Sequence, residues 1–97
     1  MKYENLTKAS LRAGSTCYGT FQCLASSTVS GILAHHGFDW ILVDMEHGAM
    51  DLETAGDMLA AIDSGGPTPL VRVQWNDQAT IKRVLDAGAL GVMVPMV

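Results

Sequence analysis

Four short apolar runs recur along this sequence, and their alternation with helical segments constrains the fold more than any other feature. The runs cover residues 16–21, 39–44, 70–73 and 91–94. Each run follows a break that contains glycine or proline, and the three intervals between them have apolar residues at helical spacing. This alternation indicates parallel β/α units in which helices and a core cover both faces of the sheet.

Helix signals precede the first run and fill the three intervals. Residues 4–13 predict a leading helix that covers the bottom of the sheet and ends at Gly14. The residues that can cap the later helices at their N-termini are Ser26 or Ser27, Asp51, and Asn76 or Asp77. The residues predicted to face inward are Leu6, Ala9, Leu11 and Ala13 in the leading helix, and Val29, Ile32, Leu33, Leu52, Ala55, Leu59, Ile62, Ile81, Val84 and Leu85 in the later ones.

Two parallel architectures fit this order of elements, a barrel and an open doubly wound sheet. Right-handed crossovers place successive strands side by side in either one. No GxGxxG motif follows the first run and no GxxxxGK[ST] motif occurs, so the common nucleotide-binding versions of the open sheet lose support. A complete barrel usually needs about 250 residues. The sequence therefore predicts one partial domain, residues 1–97, forming the N-terminal half of a (β/α)8 TIM barrel with exposed edges at its first and fourth strands.

Composition narrows the class of protein. The chain is 48% hydrophobic and 16% charged, as in a folded domain, and its net charge of −4 with scattered lysines and arginines argues against a nucleic-acid partner. No apolar stretch approaches the roughly 20 residues of a membrane-spanning helix, and no secretory signal is visible, so we expect a cytoplasmic protein. Cys17 and Cys23 match neither a redox motif nor a zinc motif and are predicted to be reduced core residues.

Polar side chains gather where the predicted strands end. Asp44, Glu46 and His47 follow the second run, Arg72 lies in the third, and Gln22 follows the first. Because active sites of β/α folds lie at the C-terminal ends of the strands, the two acids, the imidazole and the guanidinium are expected to converge on one mouth.

His47 is the best candidate for a general base, because an imidazole titrates near neutral pH. The alternative for His47 is a hydrogen-bonded loop residue with no chemical role. His35 and His36 lie late in a helix, where the helix dipole favours a cation and no function needs to be invoked.

Arg72 interrupts an apolar strand, so its guanidinium must find an anionic partner. A substrate carboxylate or enolate oxygen would suit Arg72, and an internal ion pair with Asp44 or Glu46 is the alternative. Two acids without a clear third ligand are weak evidence for a metal, and we expect them to support other groups. None of the four runs contains a lysine, which disfavours a Schiff-base mechanism.

An ordered series of motifs resembles one known family, the HpcH/HpaI aldolase/citrate lyase family. The likeness covers essentially the whole chain and is greatest to the aldolases that act on 4-hydroxy-2-oxoheptanedioate and 2-dehydro-3-deoxyglucarate. The segments that carry it are residues 37–40 with 44–47, residues 71–73 with 75–77, residues 81–82, residues 85–88 and residues 94–97.

The resemblance implies a class II aldolase that cleaves 4-hydroxy-2-oxo acids to pyruvate and an aldehyde with the help of a divalent metal, Mg²⁺, Mn²⁺ or Co²⁺. His47 matches the family's catalytic histidine, Arg72 its arginine at the keto and carboxylate oxygens, and Asp86 the aspartate that pairs with the histidine. Phe21 falls where bacterial members often have a tryptophan at the pocket wall, so the aldehyde specificity stays open.

Two features of this chain differ from what a complete active site of the family would need. Asp86 is predicted near the end of the fourth helix, on the side away from the strand ends, so its pairing with His47 would occur between subunits of a homo-oligomer. The family's metal ligands lie on later strands, beyond Val97, so no metal ligand is assigned here and the chain alone is expected to be inactive. The alternatives are a non-catalytic half-barrel that serves assembly or binding, and a lyase acting on a CoA thioester, as in the citrate lyase β-like branch.

Overall fold

A computed structural model describes residues 4–97, and within them the chain forms four helices and four strands. The helices are α1 (Leu6–Arg12), α2 (Ser27–Leu33), α3 (Leu52–Gly65) and α4 (Gln78–Asp86), and the strands are β1 (Gly19–Gln22), β2 (Trp40–Asp44), β3 (Thr68–Arg72) and β4 (Gly91–Met93). The four predicted strands are confirmed to within three residues at each end. None of the helices in the described range is long and apolar enough to cross a membrane.

Side-chain caps determine where the three later helices begin. Ser26 rather than Ser27 caps α2, and Asp77 rather than Asn76 caps α4. Asp51 caps α3 as predicted, and its carboxylate accepts a hydrogen bond from a backbone N–H three residues later at 2.8 Å. Each cap satisfies a backbone donor that has no partner within its own helix.

All four strands are parallel, and their order in the sheet is β1-β2-β3-β4. A doubly wound sheet reverses direction at a switch point, whereas a barrel adds each strand beside the previous one. The consecutive order is therefore that of a barrel. The register places Asp44, the last residue of β2, directly beside Arg72, the last residue of β3.

The main core lies between the sheet and the helices. Alternate residues of the two central strands, Ile41 and Val43 in β2 and Val71 in β3, are fully buried against this layer. The helix residues of the same core are Ala55, Met58, Leu59, Ile62 and Val84. The opposite face of the sheet, called here the inner face, carries Phe21, Trp40, Leu42, Asp44, Leu70 and Arg72.

Helix α1 covers the N-terminal edge of the sheet, as predicted, but the apolar side assigned to it was wrong. Its buried residue is Thr7, whose Oγ1 lies 3.1 Å from the carbonyl oxygen of Asp39 and 2.8 Å from Thr68 Oγ1. The residues predicted to face inward are exposed, with Leu6 and Leu11 at 60% and 58%. The helix binds this edge through polar groups because the residues at the N-terminal starts of the strands offer backbone oxygens rather than an apolar surface.

The predicted inward faces of α2 and α4 are also wrong in part. Ile32 and Leu85 are exposed, and Ser30 is the buried residue of α2. Ser30 is buried because its hydroxyl donates to the side-chain oxygen of Gln22 at 2.6 Å, which satisfies both groups inside the core. A hydrophobic pattern alone does not reveal such a pair.

Alanine substitutions at two glycines of α3 are expected to change the free energy of unfolding in opposite directions. A Cβ added at Gly65 would overlap the side chain of Ala34, whereas a Cβ added at Gly56 meets nothing within 4 Å. We expect Gly65→Ala to lower the free energy of unfolding by about 1–3 kcal/mol through overpacking. We expect Gly56→Ala to raise it by about 0.5–1 kcal/mol, because alanine favours a helix interior. Urea unfolding of both variants checks this, and equal effects would contradict the close approach of α2 and α3.

Candidate active site

Asp44 organises the mouth of the half-barrel from the C-terminal end of β2. Only 1% of its surface is exposed. Its Oδ1 accepts hydrogen bonds from the backbone N–H groups of Glu46 and His47 at 3.1 and 3.0 Å. These bonds fold the chain after β2 into a tight turn, closed by a bond from Gly48 N to Asp44 O at 3.0 Å. One buried carboxylate thus fixes the segment that carries the predicted base.

Arg72 binds the same carboxylate from the neighbouring strand. Its Nε donates to Asp44 Oδ1 at 3.2 Å, and its Nη2 donates to Asp44 Oδ2. The Arg72 guanidinium, opposed in part by burial, holds the pKa of Asp44 down at about 2, and the same bond raises the pKa of Arg72. The internal ion pair considered as an alternative for Arg72 is therefore present. Among the hydrogen bonds of residues 4–97, none involves Arg72 Nη1, so the donors of this nitrogen are not used by the pair with Asp44.

Glu46 joins the predicted base to the arginine. Its Oε1 lies 3.4 Å from Arg72 Nε and 3.1 Å from His47 Nε2. The side chain of His47 is 64% exposed, whereas those of Arg72 and Glu46 are each 20% exposed. The turn therefore presents an imidazole to solvent beside a guanidinium that is already held on one edge, which is an arrangement suited to binding an anion and moving a proton next to it.

Cys23 contacts this cluster, a contact that the sequence did not reveal. Its Sγ lies 3.6 Å from Asp44 Oδ2. Partial desolvation and the nearby carboxylate raise the pKa of the Cys23 thiol. The prediction that both cysteines are core residues was wrong, because Cys23 is exposed and Cys17 is only half-buried. Cys23 directly follows β1 at the C-terminal edge of the sheet, and that position was the available signal.

Phe21 and Gln22, adjacent in β1, point to opposite faces of the sheet. Phe21 lies on the inner face, and its ring centroid is 5.0 Å from Arg72 Cζ. Gln22 is buried towards α2, where its amide donates to the carbonyl oxygens of Leu24 and Ser26 at 2.8 and 2.9 Å. Gln22 is at the end of β1, as predicted, but its side chain lies outside the mouth because strand alternation turns it towards the helices.

The structure does not bring Asp86 to His47 within one chain. Asp86 is the last residue of α4, which runs from the C-terminal end of β3 back towards the start of β4. His47 follows β2 at the opposite edge of the sheet. His35 and His36 are also outside the mouth, each with Nδ1 2.6 Å from a carbonyl oxygen of α2.

The side chains of the described residues do not fit a divalent metal. Residues 4–97 contain no group of three histidine, cysteine, aspartate or glutamate side chains placed to hold a metal ion. The two carboxylates of the mouth, Asp44 and Glu46, direct their oxygens at Arg72. No metal ligand is therefore assigned within this part of the chain, and the position of the family's ligands beyond Val97 stays a prediction.

Val97 itself adds nothing to the mouth. It follows β4 by four residues, its apolar side chain is 96% exposed, and a side chain without nitrogen, oxygen or sulfur cannot bind a metal.

Comparisons with known proteins agree with this geometry. The chain is 43% identical over 94 residues to a 4-hydroxy-2-oxo-heptane-1,7-dioate aldolase of Escherichia coli, covering 97% of this chain and 36% of the relative. It is 39% identical over 93 residues to a hydroxypyruvate/pyruvate aldolase of Roseobacter denitrificans, covering 96% of this chain and 36% of that protein. The chain thus spans about a third of the length of the curated relatives that it matches.

A solved structure confirms the fold. The HpcH/HpaI aldolase/citrate lyase family protein of Burkholderia cenocepacia J2315 superposes with a TM-score of 0.91 at 36% identity, covering 97% of this chain and 38% of that one. The predicted half of a TIM barrel is therefore confirmed. The model of one family, described as HpcH/HpaI aldolase/citrate lyase, matches residues 18–97. With its parallel sheet, its mouth and its relatives in agreement, the chain belongs to the HpcH/HpaI aldolase/citrate lyase family.

Proposed function

We propose that this chain supplies the oxo-acid-binding half of an aldolase active site, in an enzyme that cleaves 4-hydroxy-2-oxo acids to pyruvate and an aldehyde. The observation that carries the proposal is the Asp44–Arg72 pair, which presents a fixed guanidinium beside an exposed imidazole at the strand ends. Relatives named as aldolases of hydroxy-oxo acids support the same class of reaction.

The proposed roles follow from the atoms at the mouth. Arg72 binds the carboxylate and keto oxygens of the substrate, as a guanidinium binds paired oxygens. His47 accepts the proton of the 4-hydroxyl group while the bond between C3 and C4 breaks, which releases the aldehyde and leaves the electron pair in the enolate of pyruvate. The enolate then takes up a proton at C3. Glu46 stabilises the protonated imidazole through its Oε1.

A divalent metal, Mg²⁺, Mn²⁺ or Co²⁺, remains part of the proposal as a cofactor, and its ligands are sought outside residues 4–97. A second candidate function is an assembly or binding module without catalysis. It is favoured by exposed apolar side chains on the inner face, where Phe21 is 44% exposed and Met93, which pairs with Arg72 in the sheet, is 38% exposed. The third interpretation, a lyase acting on a CoA thioester, is an outcome that the following experiment can distinguish.

The test grafts this chain into a relative that supplies the rest of the barrel. Residues 4–97 replace the matching segment of the Escherichia coli aldolase, and pyruvate release is measured from 4-hydroxy-2-oxoheptanedioate with each metal and with a chelator. We expect metal-dependent release from the graft and none from the chain alone. A folded graft that releases no pyruvate but cleaves a CoA thioester would favour the citrate lyase β-like interpretation. A folded graft inactive on both substrates would favour the non-catalytic module.

The pairing of His47 with Asp86 is proposed to occur between subunits of a homo-oligomer. Grafts carrying His47→Ala and Asp86→Ala are each expected to be inactive. Co-expressed with different affinity tags and purified as mixed oligomers, they are expected to recover part of the activity, because some sites then combine an intact histidine with an intact aspartate. Mixed oligomers without activity would refute the shared site. The control is a mixture of His47→Ala with itself.

A further inference from the structure

Three side chains of the inner face, Trp40, Phe21 and Arg72, contact one another in that order, and the last of them lies at the mouth. The rings of Trp40 and Phe21 meet edge to face, with centroids 6.0 Å apart and planes at 62°. The Phe21 ring also contacts Arg72, whose Cζ atom lies 5.0 Å from the ring centroid. Both distances are within the range of favourable aromatic and cation–π contacts. The indole therefore touches the ring that touches the guanidinium.

A glycine in β1 makes room for this series. Gly19 pairs with Trp40 in the sheet, and a Cβ added at Gly19 would overlap the atoms of the indole. The indole thus lies directly against the backbone of β1, two residues before Phe21. This close approach fixes the depth of Trp40 on the inner face, and through it the ring of Phe21.

Hydrogen bonds alone leave one rotation of the Arg72 guanidinium unrestrained. Asp44 holds the edge formed by Nε and Nη2, which sets the direction of Arg72 but does not by itself prevent the guanidinium plane from tilting about that edge. An aromatic face packed on the guanidinium opposes this tilt. The two contacts are complementary, because one acts in the plane and the other on the face.

We propose that Trp40 is a positioning residue for Arg72, acting through Phe21, so that the two rings form an aromatic support for the oxo-acid-binding guanidinium. The inference rests on the proposed function, in which Arg72 binds the substrate. Trp40 touches no reacting atom, and its effect on ligand binding is transmitted by the Phe21 ring.

The test follows the Arg72 Nε–H signal in the ¹H–¹⁵N spectrum of the chain, assigned by its loss in Arg72→Lys. A ring beneath the guanidinium shields this proton, so Phe21→Leu is expected to move the signal downfield. Trp40→Leu is expected to move it in the same direction by a smaller amount and to speed its exchange with water. Trp40→Phe is expected to restore most of the shift. Trp75→Leu removes an exposed tryptophan of the following loop and is the matched control, with no change expected.

The same signal separates this inference from the proposed function. Addition of pyruvate or oxalate without a metal tests whether Arg72 binds such carboxylates, since residues 4–97 offer no metal site. Failure in the unaltered chain would count against the proposed role of Arg72 in binding substrate while leaving the aromatic shift in place. If the ligands bind, Trp40→Leu is expected to raise their Kd about three- to tenfold. A Trp40→Leu signal identical to that of the unaltered chain would overturn the role of Trp40. If that variant does not fold, as its amide spectrum would reveal, an unchanged signal in Phe21→Leu overturns the aromatic support and a shifted one upholds it.

Discussion

Replacement of Asp44 by asparagine is expected to lower the free energy of unfolding by about 3 kcal/mol. The amide keeps the size of the side chain but removes its charge, and its NH₂ group then faces other donors, Arg72 and Cys23. The partly buried guanidinium then keeps only the longer contact with Glu46 at 3.4 Å, and removing one partner is the costly way to break a buried ion pair. We take the lower end of the usual range because Arg72 is 20% exposed. Urea unfolding at pH 7 measures the difference.

The same carboxylate gives the chain a pH dependence of known sign. The Arg72 guanidinium holds the pKa of Asp44 at about 2, below its ordinary value of 3.8. The ionised form is favoured by folding, so this contribution is fully present above pH about 4 and is lost as the pH falls towards 2. The difference in pKa corresponds to a contribution on the order of 2 kcal/mol. We expect the free energy of unfolding of the unaltered chain to fall by this amount over that pH range. The Asp44→Asn variant should show a correspondingly smaller fall.

Asp57→Asn serves as the control, since Asp57 is an exposed aspartate of α3. Its unfolding free energy is expected to stay within about 0.5 kcal/mol of the unaltered chain. If Asp44→Asn were equally mild, the Asp44–Arg72 pair would not be a large contributor to the free energy of unfolding.

Replacement of His47 by alanine in the graft is expected to lower kcat about 10²- to 10⁴-fold, the usual contribution of a positioned general base. The loss should fall on kcat more than on KM, because Arg72 and not His47 holds the carboxylate of the substrate in the proposed mechanism. Stability should change little, since the side chain is 64% exposed. Steady-state kinetics and urea unfolding of the same preparation measure both quantities.

His36→Ala is the matched control for this variant. His36 is also exposed, but its ring bonds to the carbonyl oxygen of Ile32 behind the sheet. We expect its kcat to equal that of the unaltered graft. A His47→Ala graft with unaltered kcat would assign proton transfer to another group and return His47 to the role of a loop residue.

The sequence was sufficient to predict the order of elements because each strand is short, apolar and bounded by glycine or proline. It was insufficient for the helix faces, since burial in α1 and α2 depends on polar partners elsewhere in the chain. Thr7 is buried because Asp39 and Thr68 lie beneath it, and Ser30 because Gln22 does. Thr7 lies 32 residues from Asp39 and 61 residues from Thr68 in sequence, and hydrophobic periodicity within a helix cannot predict such distant contacts.

At the site, residue types could be predicted but their pairing could not. Asp44, Glu46 and Arg72 were recognised as strand-end residues, and both Asp44 and Glu46 were named as partners that Arg72 could take. The choice between them depends on the register of β2 and β3, which places Asp44 beside Arg72 and leaves Glu46 to bridge towards His47. Register is set by the packing of the whole sheet rather than by either strand alone.

The polar contacts of α1 also bear on the order of folding. Asn5 donates to the carbonyl oxygen of Leu90 at 3.1 Å, across 85 residues of sequence, and Thr7 meets Thr68 across 61. Contacts between distant residues form late, because the loop that they close is long. Helix α1 precedes the other described elements in sequence but is therefore expected to dock last, and its attachment to the strand beginnings should report that all four strands are in place.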